Sequence, residues 1–464
     1  MLAVLSDRTY RHLYLAQVVA LLGTGLATMA LGLMAYDLAG DRAAMVLGTV
    51  FTIKMVAYVC IAPIAGAYAE RLPRRALLVT LDLVRAAVAL ALPFVTEVWQ
   101  IYILIFFLQS ASAAFTPTFQ ATIPDVLPDE ARYTRALSLS RLAYDLENII
   151  SPALAALLLT VMSYNTLFLG TAIGFAASAL LVVTVVLPDP KATNPRGVYD
   201  RTTRGLRIYL ATPRLRGLLG LNLAVSSAGA MVLVNSVVLV RGQLGLDNTA
   251  LAWSMFAFGA GSMIAALVLP RVLDRFPDRP VMLTGAWLMV LALFGIASGV
   301  IGFGLSWPLL LAIWLVIGLG NSAVLTPSGR LLSRSAHPED RPAVFAAQFA
   351  LSHACWLLTY PLAGWLMTAF GTVPALLVLG VLAAFGIVAA LQFWPTAAPD
   401  NLIHRHPDLP PDHPHLRRYG TENHQHDVHI DDFHRHEIHR PRHVRRVRHV
   451  SRSLGTLARR SSKR

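Results

Sequence analysis

The densest donor chemistry in this chain is a run of histidines near its C-terminal end. Twelve of the fifteen histidines follow Trp394. Two units repeat one pattern ten residues apart: His424-Gln-His426-Asp427-Val-His429 and His434-Arg-His436-Glu437-Ile-His439. His404, His406, His413 and His415 add two further pairs. Neutral imidazoles beside carboxylates supply the nitrogen and oxygen donors that divalent transition metals prefer, and binding can order the segment that carries them. A polar, pH-responsive spacer is the alternative. Beyond these units, Arg442 to Arg464 is strongly basic, which suits anionic lipid beside a membrane. Nothing aromatic interleaves with those charges, so nucleic acid is not an expected partner.

A second set of ionisable groups lies inside apolar runs, where each charge costs at least about 2.5–3.5 kcal/mol and must face a cavity or a partner. Arg141, Asp145, Asn148 and Pro152 fall at spacings of four, three and four on one helical face, while Glu147 points elsewhere. Asp145 and Glu147 are therefore candidate proton carriers, since a half-buried carboxylate can take up a proton. Mutual neutralisation of Arg141 and Asp145 is the competing reading. Lys54 sits mid-run, either in a structural ion pair or facing a transport cavity. His353 is a candidate cavity ligand or a hydrogen-bonded core residue; Cys355, two positions on, points away from it. Asn222 and Asn235 are candidate cavity linings. Asp82 and Arg85, near one end of the third run, stand close enough in sequence to Glu70 and Arg71 to form a gate network with them.

These groups need elements that hold them in a bilayer. The chain is 55% hydrophobic and 14% charged, against roughly 25% charged in soluble proteins. Twelve runs approach or exceed the ~20 apolar residues that span a bilayer at 1.5 Å each: 12–36, 43–69, 75–96, 98–122, 137–162, 164–187, 215–240, 249–271, 280–302, 307–331, 342–369 and 372–394. The first reads as a spanning helix, being too long for a signal peptide and lacking a cleavage site of small residues. Cys60 and Cys355 both lie in such runs and define no disulfide framework. Sorting the loops alternately puts almost all arginines on one side and only Arg42 and Arg241 on the other. The positive-inside rule then places both termini in the cytoplasm and explains much of the +13 net charge. The expected divisions are 1–187, a cytoplasmic loop 188–214, 215–395, and a disordered cytoplasmic tail 396–464.

The halves repeat each other. Gly66-x-x-x-Glu70-Arg71-x-Pro73-Arg74-Arg75 is echoed 204 positions later by Pro270-x-x-x-Asp274-Arg275-x-Pro277-Asp278-Arg279. Thr116-Pro117 and Pro128-Asp129-Glu130 return as Thr326-Pro327 and Pro338-Glu339-Asp340, 210 positions on. Matched six-helix halves suit a transporter whose cavity lies between them near the midplane. The first of these stretches resembles the loop signature of the major facilitator superfamily, with Pro73 where the family usually has glycine. The segment from Pro117 to Pro152 is similar to its enterobactin-exporter-like branch. The resemblance implies an all-α membrane fold of twelve helices and a cytoplasmic gate built from Gly66, Glu70, Arg71, Arg74, Arg75, Asp82 and Arg85, with Asp274 and Arg275 in the second half. With its histidine-rich tail, the chain also resembles nickel-resistance permeases of the NreB and NrsD kind.

The leading expectation is proton-driven export of Ni²⁺, with Co²⁺ alongside, across a bacterial-type inner membrane, with the tail collecting metal at the entry face and no cofactor. Efflux of an organic drug or siderophore, and a membrane metal sensor or scaffold, are the alternatives. An enzyme is not expected: no nucleophile–base arrangement, phosphate loop or closed metal-site spacing occurs in the polar segments.

Overall fold

The computed structural model describes residues 2–69, 72–188, 198–336 and 340–394, and two short segments, 401–404 and 424–427. Six helices make the first half: α1 Arg8–Ala39, α2 Ala43–Ala69, α3 Arg74–Ala91, α4 Val98–Val126, α5 Glu130–Leu158 and α6 Tyr164–Val183. A shorter helix, α7 Val198–Ala211, follows. The second half is α8 Pro213–Val237, α9 Asn248–Leu273, α10 Asp278–Phe303, α11 Trp307–Ser333, α12 Arg341–Phe370 and α13 Thr372–Phe393. All twelve expected spans are helical, with ends displaced by a few residues. The loop expected over 188–214 differs, because its latter part is helical as α7.

Local chemistry sets these boundaries. The Asp7, Asp129 and Asp247 carboxylates accept from the backbone amides of Tyr10, Arg132 and Ala250 (2.8–2.9 Å), capping α1, α5 and α9. Within the helices, hydroxyls such as those of Thr24, Thr52 and Ser254 donate to the carbonyl four residues back, which hides their polarity. Ten stretches among the described residues are long and apolar enough to cross a membrane; the first, Arg8–Ile61, runs through both α1 and α2. Helix α5 is not among them, because six charged residues lie within its first eighteen.

Packing reproduces the sequence repeat. The pairs α1·α6, α3·α4, α2·α4, α3·α6 and α1·α5 recur as α8·α13, α10·α11, α9·α11, α10·α13 and α8·α12. The principal contacts between halves are themselves related, α2 with α12 and α5 with α9. Large apolar side chains point outward on these helices, including Phe94, Leu180, Leu291 and Phe385, as a lipid-facing surface requires. Helix α8, by contrast, is buried along nearly its whole length.

Residues 399–464 form a separate unit. Within it β1, Asn401–His404, pairs antiparallel with β2, His424–Asp427, setting His404 opposite His424. The rest of the segment expected to be disordered lies outside the described residues. The ladder gives those backbone groups partners that single strands would have to find in water. His406, His413, His415, His429, His434, His436 and His439 lie outside the described residues, as do the side chains of His404, His424 and His426.

Candidate functional site

Helices α2 and α12 form a seam between the halves, and its two ends differ. At the end away from the chain termini, a Cβ added at Gly48 would sit 2.8 Å from the Tyr360 carbonyl oxygen, and Gly364 approaches Ala44 even more closely. Glycine is required there because the backbones touch. Arg241, four residues past α8, holds its guanidinium 5.6 Å from the Tyr36 ring of α1. Toward the termini-bearing end the seam is lined by rings. Phe51 stacks on Tyr360 (4.8 Å between centroids), Trp356 lies 4.9 Å from Tyr360, and Tyr58 stacks on His353 at 5.6 Å. Phe349 is 3.9 Å from His353. Exposure rises along this stripe, from 5% at Tyr360 to 39% at Phe349, so the seam opens toward the termini.

Three ionisable groups meet this wall. Lys54 lies between Phe51 and Tyr58 at helical spacing, within electrostatic reach of both Glu147 on α5 and His353 on α12. Among the described residues neither Lys54 nor Glu147 makes a hydrogen bond or an ion pair within 4.0 Å. Glu147 is half-buried, beside Gly25 of α1. His353 donates from Nδ1 to the Phe349 carbonyl oxygen (2.7 Å), leaving only Nε2 with a lone pair. One imidazole nitrogen beside a lysine is a poor cradle for a bare cation, and the described residues contain no group of three or more His, Cys, Asp or Glu able to hold a metal.

The other predicted residues separate into distinct places. The surroundings of Gly66, the side chains of Arg141, Asp145 and Asn148, and all of Glu70 and Arg71 lie outside the described residues. Asn222 and Asn235 are buried at 3% and 0% exposure, and Asn235 Nδ2 reaches the Ala363 carbonyl oxygen (3.4 Å), tying α8 to α12. They occupy packing positions rather than an open cavity wall. Asp82 and Arg85 are bonded to each other inside the first half. Asp274 and Arg275 are exposed at the end of α9.

The repeated loop produces matching ties at the termini-bearing end. Arg74, at the start of α3, pairs with Asp125 near the end of α4. Its counterpart Asp278, at the start of α10, receives Arg330 from the end of α11 (Nε to Oδ1, 2.9 Å). The two ties join corresponding helices with their charges in opposite order, although Asp125 and Arg330 are not at equivalent positions. Arg75 donates to the Val183 carbonyl oxygen at the end of α6, and Arg279 to that of Trp394, just past α13 (2.8 Å). Each cation thus meets the negative end of a helix.

Sequence reasoning missed the ring wall of Tyr58, Phe349, Trp356 and Tyr360. The signal was present: Phe349, His353, Trp356 and Tyr360 follow one another at four, three and four residues, and Phe51, Lys54 and Tyr58 at three and four. Nothing in the sequence announces that these two stripes face each other.

Similar proteins agree with this architecture. The chain is 27% identical over 222 residues to the uncharacterized MFS-type transporter YfiS of Bacillus subtilis, covering 46% of this chain and 52% of that protein. It is 26% identical over 181 residues to macrolide efflux protein A of Streptococcus pyogenes, covering 38% and 44%. The chain therefore spans about half the length of these curated relatives. Among solved structures, the nucleoside transporter NupG superposes with a TM-score of 0.64 at 14% identity, covering 83% of this chain and 98% of that one. A bacterial homolog of the human lysosomal transporter Spinster gives 0.63 at 12% identity, covering 84% and 98%. The pattern of the Major Facilitator Superfamily matches residues 13–234 and 218–418, one stretch for each half. With twelve of the described helices in two repeating halves, the chain belongs to the Major Facilitator Superfamily.

Proposed function

We propose that this transporter exports amphipathic organic compounds, macrolides among them, from the cytoplasm in exchange for protons. The observation that carries this reading is Lys54 and Glu147, which make no ion pair among the described residues, at a seam lined by aromatic rings. Such a surface offers wide apolar contact and few oriented polar groups, the usual make-up of a site for sizeable organic ligands. The macrolide efflux protein among its relatives supports the same substrate class. Glu147 is the proton carrier in this scheme: ionised it faces Lys54, and protonated it releases that attraction to the arriving substrate. The excess of loop arginines on the termini-bearing side supports a cytoplasmic position for the seam's open end. An inner membrane location and cytoplasmic termini follow from the same asymmetry.

Export of Ni²⁺ or Co²⁺ is the second reading, favoured by the tandem histidine units of the tail. In it the tail histidines gather the cation at the entry face, and His353 is the lone membrane ligand. Everted vesicles carrying the full chain and an imposed proton gradient separate the two. Uptake of a radiolabelled macrolide that a protonophore abolishes, with no movement of radioactive Ni²⁺, is the expected result. Gradient-driven Ni²⁺ uptake without macrolide uptake would reverse the assignment. Failure to move either, with metal still bound by the tail, would identify a membrane sensor.

A further inference from the structure

One ring of the seam is seated in a hollow. Tyr360 stacks on Phe51 of α2 and lies 4.9 Å from Trp356, whose indole reaches across to α8 at Gly229. A Cβ added at Gly229 would overlap the outermost ring carbon of Trp356, Cη2, and stand 3.0 and 3.4 Å from Cζ3 and Cζ2. The indole thus fills the volume that any other side chain at this position would take. Gly229 is helical and lies in the buried run from Ser226 to Met231, where glycine is a poorer helix former than alanine. Its backbone conformation therefore gives no reason for glycine. At Gly48 and Gly220 the neighbour is a carbonyl oxygen of the facing helix, as close helix packing requires. At Gly229 the neighbour is the far end of one side chain.

The polar edge of the same ring is unused. The indole N–H groups of Trp307 and Trp314 donate to Ser254 Oγ (3.0 Å) and Ser236 Oγ (2.7 Å). That of Trp356 makes no hydrogen bond among the described residues. A tryptophan shielded from water normally finds a partner for its N–H. Trp356 is half-buried and belongs to the stripe whose exposure rises from Tyr360 to Phe349. A flat apolar ring backed by one helix, with a donor still to give, suits a ligand that stacks on it and carries an acceptor.

We propose that Trp356 is a specificity-determining residue of the seam: an amphipathic organic substrate stacks on its indole and accepts its N–H, and Gly229 makes room for that substrate by letting the ring lie back against α8. The inference rests on the reading of the seam as a site for organic compounds. A methyl group at position 229 would displace the indole rather than the helix, because the overlapping atoms belong to a side chain and not to backbone. Retreat of the ring from α8 then takes up space at the wall.

Fluorine NMR on the full-length protein in lipid nanodiscs, labelled with fluorotryptophan, tests this, with erythromycin as the probe. The resonance lost in Trp356→Phe reports Trp356 among the eight tryptophans. Erythromycin should shift that resonance. By equilibrium dialysis, Trp356→Phe should bind the compound about tenfold more weakly, the loss expected when one ring contact and its hydrogen bond go. Gly229→Ala should move the resonance before any ligand is added and weaken binding to a similar degree. Because both changes act through one ring, combining them should cause little further loss. Erythromycin binding that leaves the resonance in place overturns the proposal, and so does wild-type affinity in folded Trp356→Phe, whether or not Gly229→Ala folds. Wild-type affinity in folded Gly229→Ala overturns it equally, and in all three cases the organic-substrate reading stands. If the wild-type protein binds no erythromycin, that reading fails and this inference falls with it.

Discussion

At the residue scale, the meaning of a charge in this chain depends on whether it has a partner. Among the described residues Arg85 has one and Lys54 has none within ion-pair distance, although both stand in helices of the first half. Spacing along the chain pointed to a candidate ion pair for Arg141 and Asp145, and the side chains that bear on that pair lie outside the described residues. Glu147 carries the sharpest expectation. Glu147→Gln fixes the neutral form, so proton-driven accumulation should collapse while substrate exchange at equal concentrations continues. Parallel efflux and exchange assays in vesicles check this; a variant that still accumulates substrate against a gradient would remove Glu147 from the coupling scheme. Sequence alone identified Glu147, Lys54 and His353 as unusual, because intramembrane charge is costly. It gave no account of their mutual approach, since they lie on three helices spread over some 300 residues of chain.

At the element scale, the exchanged signs of Arg74–Asp125 and Asp278–Arg330 show that a tie between adjacent helices matters more than its polarity. Arg74→Asp should lower stability by roughly 1–3 kcal/mol, the cost of leaving a largely buried charge unsatisfied. Adding Asp125→Arg should restore it by putting opposite charges back within reach, as thermal unfolding in detergent would show. Failure of the double change to recover would mean that the surroundings of α3 distinguish the two signs.

Helix α7 offers an element-level expectation in pH. Arg204 reaches Asp340 at the head of α12 (2.7 Å), and the fully buried Tyr209 hydroxyl donates to Gln348 further along the same helix. Burial is the largest influence on Tyr209 and pushes its phenol above its ordinary value. The folded state thus holds the proton more tightly than the unfolded chain, whose phenol ionises near about pH 10. The associated stability is complete below that pH and is lost as pH rises beyond it. Tyr209→Phe should abolish this alkaline loss while costing about 1 kcal/mol near neutrality. Stability measured from pH 7 to 11 checks both signs. The helix itself escaped the sequence reading because it is short and lies among loop arginines, where charge was assigned to membrane topology.

At the scale of the whole molecule, the membrane body and the tail are separate units, and their contributions can be divided experimentally. A chain ending at Trp394 should still transport the organic substrate, since every residue of the seam precedes that point. Removing residues 395–464 should lower the amount of metal bound by the purified protein. Equal metal binding by full and shortened chains would mean that the tail histidines are not ligands. A shortened chain that loses macrolide export but keeps its fold would mean that the tail acts in transport itself.

The sequence by itself determined the membrane, the twelve spans and the two-half repeat, because hydrophobic length and loop charge act locally and are written in consecutive residues. It also marked the groups whose burial in lipid demands an explanation. Only the tertiary structure decided which helices meet across the halves, that rings from α2 and α12 build one wall, and that Arg85 is enclosed within the first half. The physical reason is that span identity follows from transfer of each segment into lipid. Partnership follows from packing between segments far apart in the chain, and in a uniformly apolar sequence hydrophobicity cannot specify that packing.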